Sequence, residues 1–319
     1  MLVSEMSSSC LQHYRGTGQK PEDFDAFWAA QKQALSSYVP AYTLEKAGFQ
    51  LPETSCYDLN FRSFDGAEIH CKLARPAKEG RFPVLFWHHG YKFNPDDWSG
   101  KVFWANQGFC VVAMDVRGQG GSSQDLTSGC GPTCVGQLIA GIDGRPEDMT
   151  FLKVYKDIIC MVRLVQSLEF AAPSEIVVHG ASQGGGLALV TAALFPGVKK
   201  AAVAYPFLSD FRKAYELGGT AYEELPWFFR FLDPRHEREE ELFQKLAYLD
   251  VKNFAPSVKA EVLMAISLKD EVCPPPTQFA VYNNLSCPKK QYLYPDFGHE
   301  DLPGFTDLSC LFLRNLLSV

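Results

Sequence analysis

The segment Glu175-Ile-Val-Val-His-Gly-Ala-Ser-Gln-Gly-Gly-Gly-Leu-Ala-Leu189 decides the fold. An apolar β-branched run is followed by the pattern Gly-x-Ser-x-Gly and then by small residues with helical spacing, which predicts a strand that turns sharply into a helix. Such a turn holds Ser182 in a strained conformation above the sheet, where its hydroxyl can act as a nucleophile. Gly180 and Gly184 flank the serine because a Cβ atom would clash there. The alternatives are a strand–helix turn without chemistry, or a phosphate-binding glycine loop, whose G-x-G-x-x-G or G-K-[ST] pattern the sequence lacks.

Short apolar runs on both sides of this segment predict further strands, with helix-compatible segments such as Val154–Leu168 and Gly184–Phe195 between them. The runs are Pro83–Trp87, Phe109–Met114, Glu175–Val178, Lys200–Ala204, Glu261–Ser267 and Lys290–Tyr294. Nearer the N-terminus, Cys56–Phe61 and Ala67–Leu73 flank Asp65-Gly66, a strong signal for an antiparallel hairpin. A hairpin followed by β–α alternation predicts an α/β fold with a mostly parallel sheet and helices on both faces.

The spacing of these elements predicts a single domain over residues 1–319, although a chain of this length could hold two. A helix over Pro21–Leu35 and the hairpin form an N-terminal extension at about 21–75. Between the runs that end at Ala204 and begin at Glu261 the pattern is helical, which predicts a helical insertion at about 206–255. Its three predicted helices are Phe207–Leu217, Tyr222–Phe231 and Glu237–Leu249. The charged run His236-Glu-Arg-Glu-Glu-Glu241 is interpreted as a solvated helix face.

The charge balance argues against nucleic acid or an anionic membrane as the main partner, because 30 basic and 37 acidic residues give a net charge of −7. No stretch approaches the 18 or more apolar residues that a membrane-spanning helix needs. The N-terminal residues lack the basic and apolar regions of a signal peptide. We therefore expect a cytoplasmic protein.

The ten cysteines are scattered, and several lie within apolar runs, so we expect mostly buried, reduced thiols. Only Cys130 and Cys134 lie close together, and we interpret them as structural or incidental, with a local disulfide as the first alternative. A metal site needs about four ligands, and no second Cys/His pair is present. We predict neither a metal nor a cofactor.

A serine nucleophile needs a base and an acid that orients the base, which follow it in the order Ser, acid, His in this architecture. His299 follows the last predicted strand and precedes a predicted C-terminal helix, Phe305–Leu317. It is therefore preferred as the base over His236, which lies in the charged run. Asp270 follows the strand Glu261–Ser267, in a loop stiffened by prolines up to Pro276, and is the predicted acid. The competitors for this role are Glu271 and, more weakly, Asp296.

The oxyanion that forms during attack on an ester needs two backbone N–H donors. One donor is predicted to be the amide of Gln183, directly after the nucleophile. The second is predicted to be the amide of Tyr91, because the preceding His-Gly pair lets the backbone approach the substrate closely. His88 and His89 precede the serine and are interpreted as structural.

The sequence resembles the acetyl xylan esterase / cephalosporin C deacetylase family, carbohydrate esterase family seven of the α/β-hydrolase superfamily. The resemblance rests on Arg117-Gly-Gln119, Gly180-Ala-Ser-Gln-Gly-Gly185 and His299-Glu300, and the match is collinear from about Pro21 to the C-terminus. It implies a triad of Ser182, Asp270 and His299, with oxyanion amides from Tyr91 and Gln183. Supporting roles are implied for Arg117, Gln119, Gly180, Gly184 and Glu300. Departures from the family pattern at 129–134 and Val135–Ile142 concern the rim and affect substrate preference.

By this resemblance, the protein is expected to be a serine esterase that removes acetyl groups from xylo-oligosaccharides and related small esters, with cephalosporin C as a further candidate. A cytoplasmic homo-hexamer whose active sites face an inner cavity is implied in the same way. Two alternatives remain open. One is a peptidase or longer-acyl carboxylesterase on the same fold, and the other is a catalytically dead hydrolase fold that serves as a binding protein.

Overall fold

The protein is built on one nine-stranded mixed sheet, with the strand order β1-β2-β3-β5-β4-β6-β7-β8-β9. This architecture comes from a computed structural model, which describes residues 6–126, 131 and 136–316. The strands are β1 Tyr42–Lys46, β2 Thr54–Arg62, β3 Glu68–Pro76, β4 Phe82–His88, β5 Cys110–Met114, β6 Ala171–Ala181, β7 Val198–Ala204, β8 Glu261–Ser267 and β9 Lys289–Tyr294. Strands β1 to β3 form an antiparallel meander, β3 pairs antiparallel with β5, and all pairs from β5 to β9 are parallel.

Helices cover both faces of the sheet, as the α/β prediction requires. They are α1 Ser8–His13, α2 Phe24–Ala34, α3 Trp98–Asn106, α4 Thr150–Gln166, α5 Gln183–Leu194, α6 Phe211–Leu217, α7 Glu224–Phe231, α8 Glu239–Leu246, α9 Val251–Phe254, α10 Pro275–Asn284 and α11 Phe305–Arg314. Successive side chains of the central strands enter opposite cores: Phe86 joins the core with α2, α4 and α5, whereas Leu85 joins the core with α3 and α11. Burial on both faces explains why the parallel strands read as continuous apolar runs.

The sequence predicted the hairpin, the six parallel strands and the helices α4 and α5 at nearly their observed positions. The predicted single-domain organisation stays a prediction. Helices α6 to α9 all lie between β7 and β8, where the helical insertion was expected. In the parts of the chain that the structure describes, no helix is both long and apolar enough to cross a membrane. The described cysteines are free thiols, most of them buried, whereas Cys130 and Cys134 lie outside the described residues.

Several boundaries differ from the prediction for identifiable reasons. The helix expected at Phe207–Leu217 begins at Phe211, because Asp210 adopts left-handed backbone angles (φ 47°, ψ 56°) that interrupt a helix. The prolines expected to stiffen a loop instead begin α10 at Pro275, where the missing amide hydrogen costs no helical hydrogen bond. Strand β1 was missed because its side chains are largely exposed and leave no apolar run.

Candidate active site

The predicted nucleophile elbow is present where β6 turns into α5. Ser182 has a positive φ (55°, ψ −125°), an unusual conformation for a residue with a side chain. The turn is held by the Ser182 amide, which donates to the Ala204 carbonyl at 3.0 Å, and by the Ser182 carbonyl, which accepts from the Phe207 amide at 3.0 Å. A Cβ atom on Gly180 would lie 2.4 Å from the Gly184 carbonyl carbon, and one on Gly184 would lie 2.0 Å from the His88 carbonyl oxygen. Both glycines are therefore sterically required.

His299 and Asp270, the predicted base and acid, form a hydrogen-bonded pair. The Nδ1 atom of His299 lies 2.8 Å from Oδ2 of the fully buried Asp270. The other oxygen of this carboxylate, Oδ1, accepts the amides of Val272 and Cys273, each at 2.8 Å, and Gln278 donates to Oδ2 at 3.1 Å. A carboxylate oxygen is the acceptor in the bond to the imidazole, so the ring nitrogen is the donor. The Nδ1 atom of His299 therefore carries the proton, and Nε2 presents a lone pair.

Ser182 and His299 line the same cavity, which has a volume of about 370 Å³. Its wall also includes Gly90, Phe93 and Tyr205. The Tyr205 ring packs on the imidazole of His299 with 4.5 Å between ring centroids, and its hydroxyl donates to the Glu300 carbonyl at 3.0 Å. A larger cavity of about 690 Å³ lies elsewhere, between the N-terminal segment and the helices of the insertion, and contains none of the predicted site residues.

The loop after β4 places the predicted oxyanion donor Tyr91. The Gly90 carbonyl, which shares a peptide plane with the Tyr91 amide, accepts from His89 Nδ1 at 2.8 Å, from the Phe93 amide at 3.3 Å and from Gln183 Nε2 at 3.4 Å. Because C=O and N–H point in opposite directions in a trans peptide, these donors also fix the direction of the Tyr91 amide. Within the described residues, neither the Tyr91 amide nor the Gln183 amide donates to an acceptor. Their chain neighbours Gly90 and Ser182 line the cavity, whereas Tyr91 and Gln183 are not among its described wall residues.

Three glutamine side chains brace this loop. Gln119 and Gln183 exchange two hydrogen bonds, at 2.8 Å and 3.1 Å, and Gln119 Nε2 also donates to Gln137 Oε1 at 3.0 Å. Gln119 Oε1 accepts the Lys92 amide at 3.0 Å. The side chain of Gln183 thus locks the loop that carries one predicted donor, while its own backbone amide is the other.

Arg117, predicted to brace the loops, is fully buried and bonded to two carboxylates. Its guanidinium donates to Asp157 twice at 2.7 Å and to Asp65 at 2.6 Å and 3.2 Å, while its carbonyl accepts from Gln137 at 2.8 Å. It therefore ties the turn between β2 and β3 to helix α4, away from the cavity. Glu300 Oε1 accepts the Gly298 amide at 3.0 Å and so stabilises the loop that carries His299.

The competing candidates lie apart from this arrangement. His236 stacks on Phe229, with 4.2 Å between ring centroids, and bonds Glu239 in the insertion. Asp296 pairs with Lys269 on the surface. The backbone carbonyl of Glu271 accepts the Thr220 amide. The site contacts of Tyr205, Gln137 and Glu224 were missed, because their sequence surroundings carry no motif.

His88 supplies a prediction about stability at acid pH. Burial lowers its pKa to about 3, whereas an unfolded chain has a histidine pKa of about 6.5. Between these values the unfolded chain binds a proton that the folded chain does not. His88 therefore does not reduce the unfolding free energy above pH 6.5, and it reduces that free energy progressively as the pH falls towards 3. At pH 5 this one group is expected to cost about 2 kcal/mol.

Urea unfolding at pH 7 and pH 5 tests this expectation. The wild type should lose about 2 kcal/mol more unfolding free energy on acidification than His88→Gln, which keeps a neutral hydrogen-bonding side chain. His179, whose pKa burial also lowers, contributes equally to both proteins, and His89 is present in both. Equal losses in the two proteins would refute the assignment.

Comparison with known proteins shows similarity to esterases. Acetyl xylan esterase 1 of Thermoanaerobacterium sp. JW/SL YS485 is 44% identical, superposes with a TM-score of 0.96, and the match covers 99% of this chain and 100% of that one. The acetyl xylan esterase of Paenibacillus sp. R4 is 36% identical, with a TM-score of 0.93 and coverage of 97% and 99%. The acetyl esterase Axe7A of Xylanibacter ruminicola is 28% identical over 284 residues, which is 87% of this chain but 63% of that relative's length.

The family comparison covers the whole site. Residues 1–316 match the family described as acetyl xylan esterase (AXE1). This range includes the elbow, the His–Asp pair and the loop after β4 that carries the predicted oxyanion donor Tyr91. The mixed sheet with helices on both faces is the α/β-hydrolase fold. The chain belongs to the acetyl xylan esterase family.

Proposed function

We propose that this protein is a serine esterase that hydrolyses acetyl esters of xylo-oligosaccharides and similar small acetylated compounds. The observation that carries the proposal is one cavity lined by Ser182 and by His299, whose imidazole is oriented by the buried carboxylate of Asp270. A nucleophile, a base and an acid that fixes the orientation of the base are the parts that acyl transfer requires. Family membership and the two acetyl xylan esterase structures support the acetyl preference.

The proposed reaction has two halves. His299 Nε2 takes the Ser182 proton while Oγ attacks the acetyl carbonyl, and the amides of Tyr91 and Gln183 hold the resulting oxyanion. His299 then protonates the sugar oxygen as the ester bond breaks, leaving acetyl-Ser182. In the second half His299 deprotonates a water molecule that attacks the acetyl carbonyl, and returns the proton to Ser182 as acetate leaves. Asp270 keeps the imidazole in the required tautomer throughout. The chain's own residues supply every group used.

Acyl chain length distinguishes this proposal from a longer-acyl esterase or a peptidase on the same fold. The site cavity, about 370 Å³, lies at the small end of ligand pockets, which range from about 300 to 1,000 Å³. Because the chain belongs to the acetyl xylan esterase family, we expect acetyl esters to be hydrolysed far faster than octanoyl esters. Strong activity on octanoyl or longer esters would contradict the acetyl assignment, and cleavage of a peptide would favour the peptidase.

Ser182→Ala tests the enzyme assignment itself. The variant is expected to release acetate from p-nitrophenyl acetate and from acetylated xylo-oligosaccharides at least about 10⁴-fold more slowly than the wild type, because no other group accepts the acetyl. Equal rates would contradict the proposal. Failure of a fluorophosphonate probe to label Ser182 in folded protein would instead favour the catalytically dead binding protein.

We further propose that the protein acts in the cytoplasm, on the strength of its free, mostly buried thiols, which are typical of reducing compartments. A homo-hexamer remains a proposal from the family resemblance, and light scattering tests it. Cephalosporin C is proposed only as an additional acetyl ester.

A further inference from the structure

The side chain of Tyr91 leads away from the cavity and ends on a carboxylate. Its ring packs between Phe151 and Phe207, at centroid distances of 5.8 Å and 5.2 Å. Its hydroxyl donates to Glu224 Oε1 at 2.7 Å and accepts the Gln137 amide at 2.9 Å. The residue that presents a proposed oxyanion amide is therefore anchored at the far end of its own side chain.

Glu224, on the first turn of α7, is fully buried and joins three segments that are distant in sequence. Its second oxygen, Oε2, accepts the amides of Leu138 at 2.7 Å and Ile139 at 3.1 Å. A Cβ atom on Gly136 would lie 2.3 Å from Glu224 Oε1 and 2.7 Å from the Tyr91 hydroxyl, so only glycine lets the backbone approach this closely. Burial raises the pKa of Glu224, and the bonds from Tyr91 and the two amides oppose that rise.

We propose that Glu224 is a positioning residue of the oxyanion hole, which acts through Tyr91 and does not itself touch the substrate. The inference rests on the proposed function, because it requires that the Tyr91 amide stabilises an oxyanion. Hydrogen bonds to a carboxylate oxygen are stronger and more directional than those between neutral groups, so the bond from the Tyr91 hydroxyl holds its side chain in one rotamer. A fixed rotamer fixes Cα, and with it the amide whose placement must be accurate to about 0.5 Å.

The same contacts give the helical insertion a role in catalysis. Glu224 belongs to α7, between β7 and β8, yet its carboxylate ends at a loop that follows β4. The Gly90–Tyr91 peptide is held from the other side by His89 and Gln183. Tyr91 is thus fixed at both ends, and release of the side-chain end should loosen the amide without removing it.

Glu224→Gln is the informative variant because it is nearly isosteric. If its amide oxygen keeps the Leu138 and Ile139 bonds, its NH₂ group faces the Tyr91 hydroxyl, whose proton then loses its acceptor. We expect kcat for p-nitrophenyl acetate to fall about 10- to 100-fold, less than the roughly 10²–10³-fold cost of losing a whole oxyanion donor. KM should change by less than about twofold, because the oxyanion exists only in the transition state. The rate of phosphonylation of Ser182 by a fluorophosphonate should fall with kcat.

Asp233→Asn is the matched control. Asp233 is also a buried acid of the insertion, and it accepts two backbone amides, those of Glu237 and Arg238. Among the described residues, however, it has no hydrogen bond to the loop after β4 that carries Tyr91. The Asp233→Asn protein should be less thermally stable than the wild type but should have the same kcat. Tyr91→Phe, which removes the shared hydroxyl, should lower kcat to a similar extent, and the double variant Tyr91→Phe/Glu224→Gln should be little worse than either single one.

The outcomes separate the inference from the proposed function. A wild-type protein that releases no acetate would overturn both. Two results with an active wild type would overturn the positioning role alone. One is an unchanged kcat in folded Glu224→Gln. The other is a kcat loss in Glu224→Gln that is no larger than the loss in Asp233→Asn. A rise in KM at constant kcat would overturn it as well, since that pattern indicates a substrate contact.

Discussion

Replacing Asp270 with asparagine is expected to lower kcat for p-nitrophenyl acetate by about 10⁴-fold in a folded protein. We expect kcat to fall because of how the four hydrogen-bond donors around this side chain would orient an asparagine. Oδ1 accepts the amides of Val272 and Cys273, so the asparagine oxygen should occupy that position. Its NH₂ group would then face His299 Nδ1 and Gln278 Nε2. Donation to Nδ1 would move the imidazole proton to Nε2, where the lone pair is needed to accept the Ser182 proton.

Asp296→Asn provides the control for this substitution. Asp296 lies in the same loop as His299 and was a weaker sequence candidate, but its carboxylate pairs with Lys269 on the surface. Its variant should keep kcat within about twofold, because exposed ion pairs contribute little. Steady-state kinetics measure kcat for each variant, and near-ultraviolet circular dichroism checks that each variant is folded. A folded Asp270→Asn with more than a tenth of wild-type kcat would contradict the orienting role.

Gly184→Ala is expected to destabilise the protein by about 3 kcal/mol or more. The new Cβ would lie 2.0 Å from the carbonyl oxygen of His88, at the end of the central strand β4. Neither partner can yield easily, because α5 packs tightly against β4, β6 and β7 in the buried core. Any shift that relieves the clash displaces the elbow, so surviving folded protein should also lose most of its activity.

Gly197→Ala separates this steric effect from a general effect of replacing glycine near α5. No atom lies within 4 Å of a Cβ built on Gly197, and its φ is not positive. This control should change the unfolding free energy by less than about 0.5 kcal/mol in either direction. Chemical denaturation of the three proteins measures the difference. A Gly184→Ala variant as stable and active as Gly197→Ala would show that the elbow tolerates a side chain.

The sequence could predict the features that depend on local pattern or on chain order. The elbow required a β-branched strand, two spaced glycines and a small-residue helix, all within Glu175–Leu189. Asp270 and His299 could be proposed as acid and base because the expected order of nucleophile, acid and base, together with the ends of two strands, restricts the choice to a few positions. In the folded protein, Nδ1 of His299 lies 2.8 Å from Oδ2 of Asp270.

The supporting shell could not be predicted, because its members meet only after folding. Tyr91 and Glu224 are separated by 133 positions in the chain. One signal was available for the Arg117 network: Asp157 lies on the mostly apolar, buried face of α4, where an acid needs a partner. No comparable signal marks Glu224 or Gln137, whose sequence surroundings are ordinary for a helix or a loop.

Acid quenching during turnover of p-nitrophenyl acetate, followed by peptide mass spectrometry, tests the central claim most directly. The account predicts an acetyl group on Ser182 in the wild type, with a larger acetylated fraction at early times when a good leaving group makes acylation fast. Ser182→Ala should show no acetylated active-site peptide and no turnover. Acetate release by the wild type with the acetyl group on another residue, or release by Ser182→Ala at the wild-type rate, would contradict the account.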